Sequence, residues 1–248
     1  MNRTFVLQTD SGMPVENTVL KDVFASYEHQ LHLQGDNLQE VSMSYFSENI
    51  HKFANAIPVG NLEFVSLWLK ENYKKDMLPI EIPKCLQREE FLLRKYQIIK
   101  KSEFSEPGYY FVKNASHLKQ GSFMGMINSP DDICVDNSDD LFVLSEKFLS
   151  KSEWRVYVVN NRFKTVTNYT DDPSIFPDMN KIRKMMFIYS TQDPDRPMSY
   201  TLDVMVGPKS KGTALLEVHP FVAVGLYTSL WDLSLLDAYE QGIEWYKK

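Results

Sequence analysis

The segment from Tyr200 to Tyr227, YTLDVMVGPKSKGTALLEVHPFVAVGLY, constrains the chain most. Two apolar runs flank a Gly/Pro/Lys/Ser turn, which predicts a β-hairpin whose side chains alternate between two faces. Leu202, Val204 and Val206 share one face of the first strand and leave Asp203 and Met205 on the other. In the second strand Glu217 is out of phase with Leu216 and Val218, and His219 shares its face. An acid set into each of two neighbouring apolar strands is costly unless something cationic lies between them. A divalent metal ion meets that need, because hard cations take oxygen ligands. A Lys or Arg against each acid meets it too, as does a half-exposed hairpin with one wet face. On the hairpin alone these readings stay open.

Length and charge narrow the setting. A chain of 248 residues holds one large domain or two lobes with a proper core. With 27 basic against 33 acidic residues the net charge is −6, so no basic field draws the whole molecule to nucleic acid or to an anionic membrane. Cys85 and Cys134 lack metal-ligand spacing and form no disulfide framework, which fits a reducing compartment. Met1 to Leu7 has no long apolar core, and Pro220 to Leu230 is too short to span a bilayer. A cytoplasmic protein is the expectation.

Along the chain, Thr4 to Gln8 reads as a strand, and a helical period begins at Val15. Asn37 to Met43 and Ala56 to Gly60 read as further strands, the latter leading into a helix over Leu62 to Tyr73. Alternating strands and helices predict a small α/β lobe with a partly parallel sheet. Lys74 to Pro83, with two prolines and mixed charge, is the candidate linker. From Leu86 short β-type runs follow one another: Arg94–Ile99, Tyr109–Lys113, Ser122–Ile127, Leu141–Leu144, Trp154–Val159 and Arg162–Asn168. That region is expected to be mainly antiparallel. A basic-faced helix over Lys181 to Tyr189, the hairpin, and a closing helix over Leu230 to Tyr246 complete the chain. Trp231, Trp245 and Tyr246 read as covering the sheet or a partner.

Two stretches carry further chemistry. Lys113 closes the run YYFVK and leads into a polar loop ending at Gly121 and Ser122, whose backbone N–H groups can turn on a phosphate beside the lysine. A hairpin with an exposed end lysine fits the same residues. Lys95, between Arg94 and Tyr96, has a similar setting. Leu144 to Val156, LSEKFLSKSEWRV, leaves one strand, crosses an irregular bridge and enters another. Such a bridge offers backbone groups to a purine edge while Glu153 accepts from ribose hydroxyls. A solvated loop in which Glu146, Lys147, Lys151 and Glu153 pair locally accounts for it as well.

In this order the segments resemble the ATP-grasp superfamily: a lysine closing a strand, a Gly-containing loop, an EKFL…E hinge running into WRVYVV, then LDV and LLEV on a last hairpin. More narrowly, IPVGNLEF, FVKN, EWRVYVV and the EV-x-P-F-x-x-x-GLY ending resemble the small bacterial and viral ATP-grasp proteins of the clade named for one arginine and two lysines. The resemblance implies an α+β ATP-grasp fold over residues 84–248, with subdomains 84–150 and 151–248 whose antiparallel sheets grip ATP. A small α/β pre-ATP-grasp lobe, 1–83, would precede it. Lys95 and Lys113 would contact the phosphates, and Glu146, Lys147, Phe148 and Leu149 would form the adenine hinge. Glu153 would hold the ribose, and Asp203 and Glu217 would bind Mg²⁺.

Two departures from the family pattern stand out. His219 occupies the place of a usual Asn after the metal-binding glutamate, and imidazole favours Mn²⁺, Zn²⁺ or no contact. Thr201 stands where some ligases carry an arginine that steadies an acyl phosphate, and Arg155 or Arg183 would take that role. The function implied is an ATP-dependent carboxylate-amine ligase that passes through an acyl phosphate and releases ADP. Its partners are ATP, a carboxylate and an amine, with no nucleic acid or membrane. A phosphotransferase on the same scaffold and an ATP-binding module that has lost its chemistry are the alternatives.

Overall fold

The computed structural model describes residues 2–10, 14–77, 81–117, 122–133, 139–208, 212–228 and 231–248, with side chains from residue 19 onward in the first helix. The loop over 118–121, Cys134, the linker centre 78–80, the hairpin tip 209–211 and Leu230 lie outside them.

The alternating first part of the chain folds as β1 (Thr4–Gln8), α1 (Pro14–Ser26), α2 (Glu28–Gln34), β2 (Asn37–Val41), α3 (Met43–Glu48), β3 (Ile57–Val59) and α4 (Leu62–Tyr73). The sheet, in the order β2-β1-β3, is parallel throughout. β1 is central and buried at Phe5, Val6 and Leu7, as expected of a parallel strand covered on both faces. α4 begins where Asn61 accepts from the Phe64 N–H and ends at Lys74 in a left-handed conformation. α2 and α3 have no counterpart in the helical periods of the sequence.

A short helix α5 (Glu89–Leu92) leads into β4 (Tyr96–Lys100), β5 (Gly108–Asn114), β6 (Ser122–Ile127) and β7 (Leu141–Glu146), an antiparallel sheet in the order β4-β7-β5-β6. The second antiparallel sheet has the order β11-β10-β8-β9, from β8 (Ser152–Val159), β9 (Arg162–Asp171), β10 (Tyr200–Val206) and β11 (Thr213–Pro220). α6 (Met179–Gln192) packs Ile182, Met185, Ile188 and Tyr189 against it, and α7 (Ser234–Lys247) closes the chain. Trp231 precedes α7 and is buried against Tyr157 and Phe221, not displayed on the helix surface.

The core of the parallel sheet does not stop at the end of that lobe. It runs on through Tyr157, Val159, Phe221, Trp231, Leu235, Leu236, Tyr239 and Ile243. Arg3 adds a polar clasp, pairing with Asp36 at 2.6 Å and with Asp237 of α7 at 2.8 Å. α7 approaches this core so closely that a Cβ on Gly242 would overlap the backbone carbonyl of Phe221. Backbone cannot yield as a flexible side chain does. Gly242→Ala is therefore expected to cost about 3 kcal/mol by overpacking, read as a lowered denaturant midpoint with an unchanged slope.

Candidate functional site

Strand register assembles the site. Across β8, β10 and β11 three rows of side chains share one face: Glu153–Met205–Ala214, Arg155–Asp203–Glu217 and Tyr157–Thr201–His219. A bulge between Asp203 and Val204 inserts Leu216 as an extra residue on β11, so Leu215 packs into the core while Leu216 and Glu217 both line the cleft. The strict alternation expected at Leu216 is corrected there. A second bulge, between Glu153 and Trp154, leaves Tyr169 of β9 as the extra residue. Its hydroxyl hydrogen-bonds with Glu153.

Both hairpin acids meet cations from the protein. Arg155 donates from Nε to Asp203 Oδ1 at 2.8 Å and from Nη2 to Oδ2 at 2.7 Å. The side chains are 12% and 4% exposed, so this is a buried, bidentate pair. Arg155 also donates to the Gly225 carbonyl at 3.2 Å and lies 5.6 and 5.1 Å from the rings of Tyr169 and Tyr227, which stack on each other. Burial pulls the guanidinium pKa down, but Asp203 more than reverses this and holds it above its ordinary value. Glu217 Oε2 is 2.8 Å from His219 Nε2, and its Oε1 is 3.7 Å from Lys113 Nζ. Burial pushes the Glu217 carboxyl up, yet His219, Lys113 and Arg155 together bring it to about 2. Asp203, Glu217 and His219 each offer one ligand atom within 4.8 Å of the others. Two carboxylates and an imidazole converging in this way suit a divalent cation.

Facing this wall is the β4-β7-β5-β6 sheet, and a cavity of about 230 Å³ lies between them. Phe111, Met124 and Val143 make its apolar floor, and Lys113 reaches across to Glu217. Glu146, Lys147 and Phe148 line it where the chain crosses from one sheet to the other, and Glu153 lines it beside Met205. Burial and the nearby Asp171, Asp203 and Glu217 raise the Glu153 carboxyl pKa, against a lowering hydrogen bond from Tyr169.

Three of the expected site residues lie elsewhere. Lys95 is exposed and pairs with Glu106 at 2.9 Å, because it has the opposite parity to Tyr96, which does line the cavity. Leu149 is 54% exposed, beyond the turn that buries Phe148. Arg183 sits on the exposed face of α6, 3.5 Å from Asn180. Arg94, unassigned from sequence, takes the inward place instead: it donates to Ser145 Oγ at 2.7 Å and to the Leu215 carbonyl at 2.7 Å, bridging the two sheets. Burial lowers its pKa to about 10, so it is cationic at neutral pH. Its parity with Tyr96 was the available signal.

A family model for the ATP-grasp domain, family 2 of the clade named for one arginine and two lysines, matches residues 90–232. No curated protein matches the chain. Among solved structures, an N5-carboxyaminoimidazole ribonucleotide synthetase in its ADP complex is 10% identical, with 88% of this chain and 70% of that chain covered and a TM-score of 0.51. D-alanine–D-alanine ligase from Bacillus anthracis complexed with ATP is 13% identical, with coverage of 99% and 95% and a TM-score of 0.47. The ATP-grasp ligase PsnB complexed with minimal precursor is 10% identical, with coverage of 97% and 98% and a TM-score of 0.49.

Two outcomes follow from this geometry. Arg155→Met leaves the Asp203 carboxylate buried without its cation and is expected to cost about 3–5 kcal/mol, whereas Arg155→Met with Asp203→Leu recovers most of that loss; chemical denaturation in a double-mutant cycle reads the difference. Glu217 has a folded-state pKa depressed from 4.5 to about 2. Its contribution to stability is present above 4.5 and lost as pH falls toward 2, so unfolding curves across that window are expected to be steeper in pH for the wild type than for Glu217→Gln.

Proposed function

Since the chain belongs to family 2 of the ATP-grasp clade named for one arginine and two lysines and has the ATP-grasp fold, we propose that it is an ATP-dependent carboxylate-amine ligase acting through an acyl phosphate. The observation that carries this reading is the cross-cleft pairing of charge. Lys113 and Arg94 stand on one wall, and the Asp203, Glu217 and His219 set stands on the other. On this reading residues 84–150 and 151–248 are the two halves of the grip, and residues 1–83 are a pre-ATP-grasp lobe.

Each residue then has a task. Phe148 and the apolar floor take the adenine, Glu146 and Lys147 border it, and Glu153 faces the ribose. Lys113 and Arg94 neutralise phosphate oxygens; phosphoryl transfer depends mainly on such positioning and neutralisation. Asp203, Glu217 and His219 would hold a divalent ion, Mg²⁺ or Mn²⁺, which would supply positive charge for phosphoryl transfer. Arg155 fixes the Asp203 carboxylate and takes the place of the arginine that steadies an acyl phosphate. The substrate carboxylate attacks the γ-phosphorus and ADP leaves. An amine then attacks the acyl carbon, phosphate leaves, and loss of the amine proton leaves an amide.

The test supplies ATP, Mg²⁺ or Mn²⁺, and a panel of amino acids and peptides, with hydroxylamine as a trapping amine. Wild type is expected to release ADP and form a hydroxamate, the mark of an acyl phosphate. Asp203→Asn and Glu217→Gln are expected to lose ADP release by more than about 100-fold while keeping the far-ultraviolet circular dichroism of the wild type. Near wild-type turnover in both variants overturns the site assignment. A stable phosphate ester in place of the hydroxamate assigns a phosphotransferase instead.

A further inference from the structure

The extra residue on β9 has its two ends in different parts of the cleft wall. Glu153 pairs with Thr170 and Trp154 with Asn168, so Tyr169 between them has no partner across the ladder. Asn168 closes the gap: its Nδ2 donates to the Glu153 carbonyl at 3.0 Å and to the Thr170 carbonyl at 2.8 Å, on either side of the extra residue. Backbone acceptors beside a bulge need a donor, and these two bonds give the bulge one fixed shape. The Tyr169 ring is then held in turn. It stacks on Tyr227, with 5.2 Å between centroids and 19° between planes, and the Arg155 guanidinium lies 5.6 Å from its centre. Arg155 is pinned by Asp203, and the Tyr227 backbone N–H donates to the Tyr157 hydroxyl at 2.9 Å. At the other end the Tyr169 hydroxyl donates to the Glu153 carboxylate. Burial and the Asp203 and Glu153 carboxylates raise the phenol pKa, so the group stays a donor across the neutral range.

A glutamate carboxylate turns easily about its last torsion unless a partner holds it. A donor on one oxygen sets its plane and leaves the other oxygen for a ligand hydroxyl. We propose that Tyr169 is a positioning residue for the nucleotide: its hydroxyl sets the Glu153 carboxylate toward the ribose, and the stack on Tyr227 and Arg155 keeps that hydroxyl in place. The inference rests on the ribose role of Glu153 proposed above and adds the residue that makes that role selective. A sugar without hydroxyls leaves the carboxylate oxygen unpaired, and a carboxylate that is held cannot swing away to find another partner. Discrimination for the ribose therefore runs through Tyr169.

Binding of ATP and of its 2′,3′-dideoxy analogue to the full chain, each with Mg²⁺, is measured by isothermal titration calorimetry. Wild type is expected to favour ATP by at least about tenfold. Tyr169→Phe keeps the ring and loses the hydroxyl. It is expected to weaken ATP about 5- to 30-fold and to leave the dideoxy analogue within about twofold of wild type, a split that lost packing does not produce, because packing serves both nucleotides alike. In a Glu153→Gln background the same change is expected to add less than about twofold, since the hydroxyl acts through that carboxylate. Tyr227→Leu, which unstacks the ring, is expected to lower the preference for ATP. Equal weakening of both nucleotides by Tyr169→Phe, or an unchanged preference for ATP, overturns the proposal, and an unchanged preference in Tyr227→Leu overturns the anchoring by the stack. Glu153→Gln separates the two levels. If it keeps the wild-type preference, the ribose role of Glu153 falls and the proposal with it; if it loses the preference while Tyr169→Phe keeps it, the Tyr169 assignment alone falls. Wild type that binds neither nucleotide overturns the ATP reading itself.

Discussion

A carboxylate held almost out of water sets the terms for the cleft wall. Asp203 is 2% exposed in the middle strand of a three-strand row, where desolvation is returned only by a cation in close geometry. Arg155 supplies that geometry with a two-pronged bond and passes a third N–H to the Gly225 carbonyl. A side chain at Gly225 would press on the Tyr227 ring at 3.0 Å and on Arg155 Nη1 at 3.3 Å, so a glycine lets the chain come near enough to accept. Such a pair is not needed for stability, since apolar residues of similar volume often serve as well. What the pair supplies and apolar residues would not is a charged group beside Glu217 and His219, whose polar atoms converge with those of Asp203.

Two of the three register shifts in this sheet, at Asp203/Val204 and Glu153/Trp154, give the cleft wall more side chains than alternation allows. Leu216 joins Glu217 on the cleft side because β11 carries one residue more than β10 there. Tyr169 is displaced from the β8–β9 ladder, bonds to Glu153 and lies beside Arg155. Each bulge thus adds a residue next to a charged group of the rows, one apolar and one aromatic. This is the usual use of a bulge near a site, where it re-aims side chains that strict pairing would bury or expose.

What could be read from sequence follows from these same facts. Periodicity located α4 with its observed limits because it turns Phe64, Val65, Trp68 and Leu69 to a core; β6 was placed with its limits as an apolar run although only Ile127 of it is buried, and most other strands fell within a few residues. It missed α2 and α3, whose buried anchors are Leu31 and Phe46 alone and so define no period. In the site, Lys113, Glu153, Asp203, Glu217 and His219 were legible because they lie in regular strand and their phase was countable. Lys95 was read in place of Arg94 although their phase was countable too. Leu93 has a left-handed backbone, φ 52°, between α5 and β4, so the extended phase that turns Arg94 and Tyr96 inward and Lys95 outward starts only after it. Tyr169 was beyond reach, since an extra residue in a ladder leaves no mark in the pattern.

The cores divide the molecule unevenly. The parallel sheet shares one continuous cluster with β8, the segment after β11 and α7, while the opposite face of the cleft wall packs on α6. The β4-β7-β5-β6 sheet keeps a small cluster of its own around Tyr110, Val112, Ile127 and Phe142. It joins the cleft wall through Phe148 against Met205 and Ala214, through the Arg94 bond to Leu215 and through Lys113 opposite Glu217. Apolar area shared between parts decides how strongly they resist separation. The cleft wall is therefore anchored on both faces, and the sheet carrying Lys113 is attached by a smaller apolar cluster, by the packing of Tyr96 and by two polar links that lie inside the cleft itself. Those links are the charges the site brings together, so occupation of the cleft and the joining of its walls draw on the same few residues.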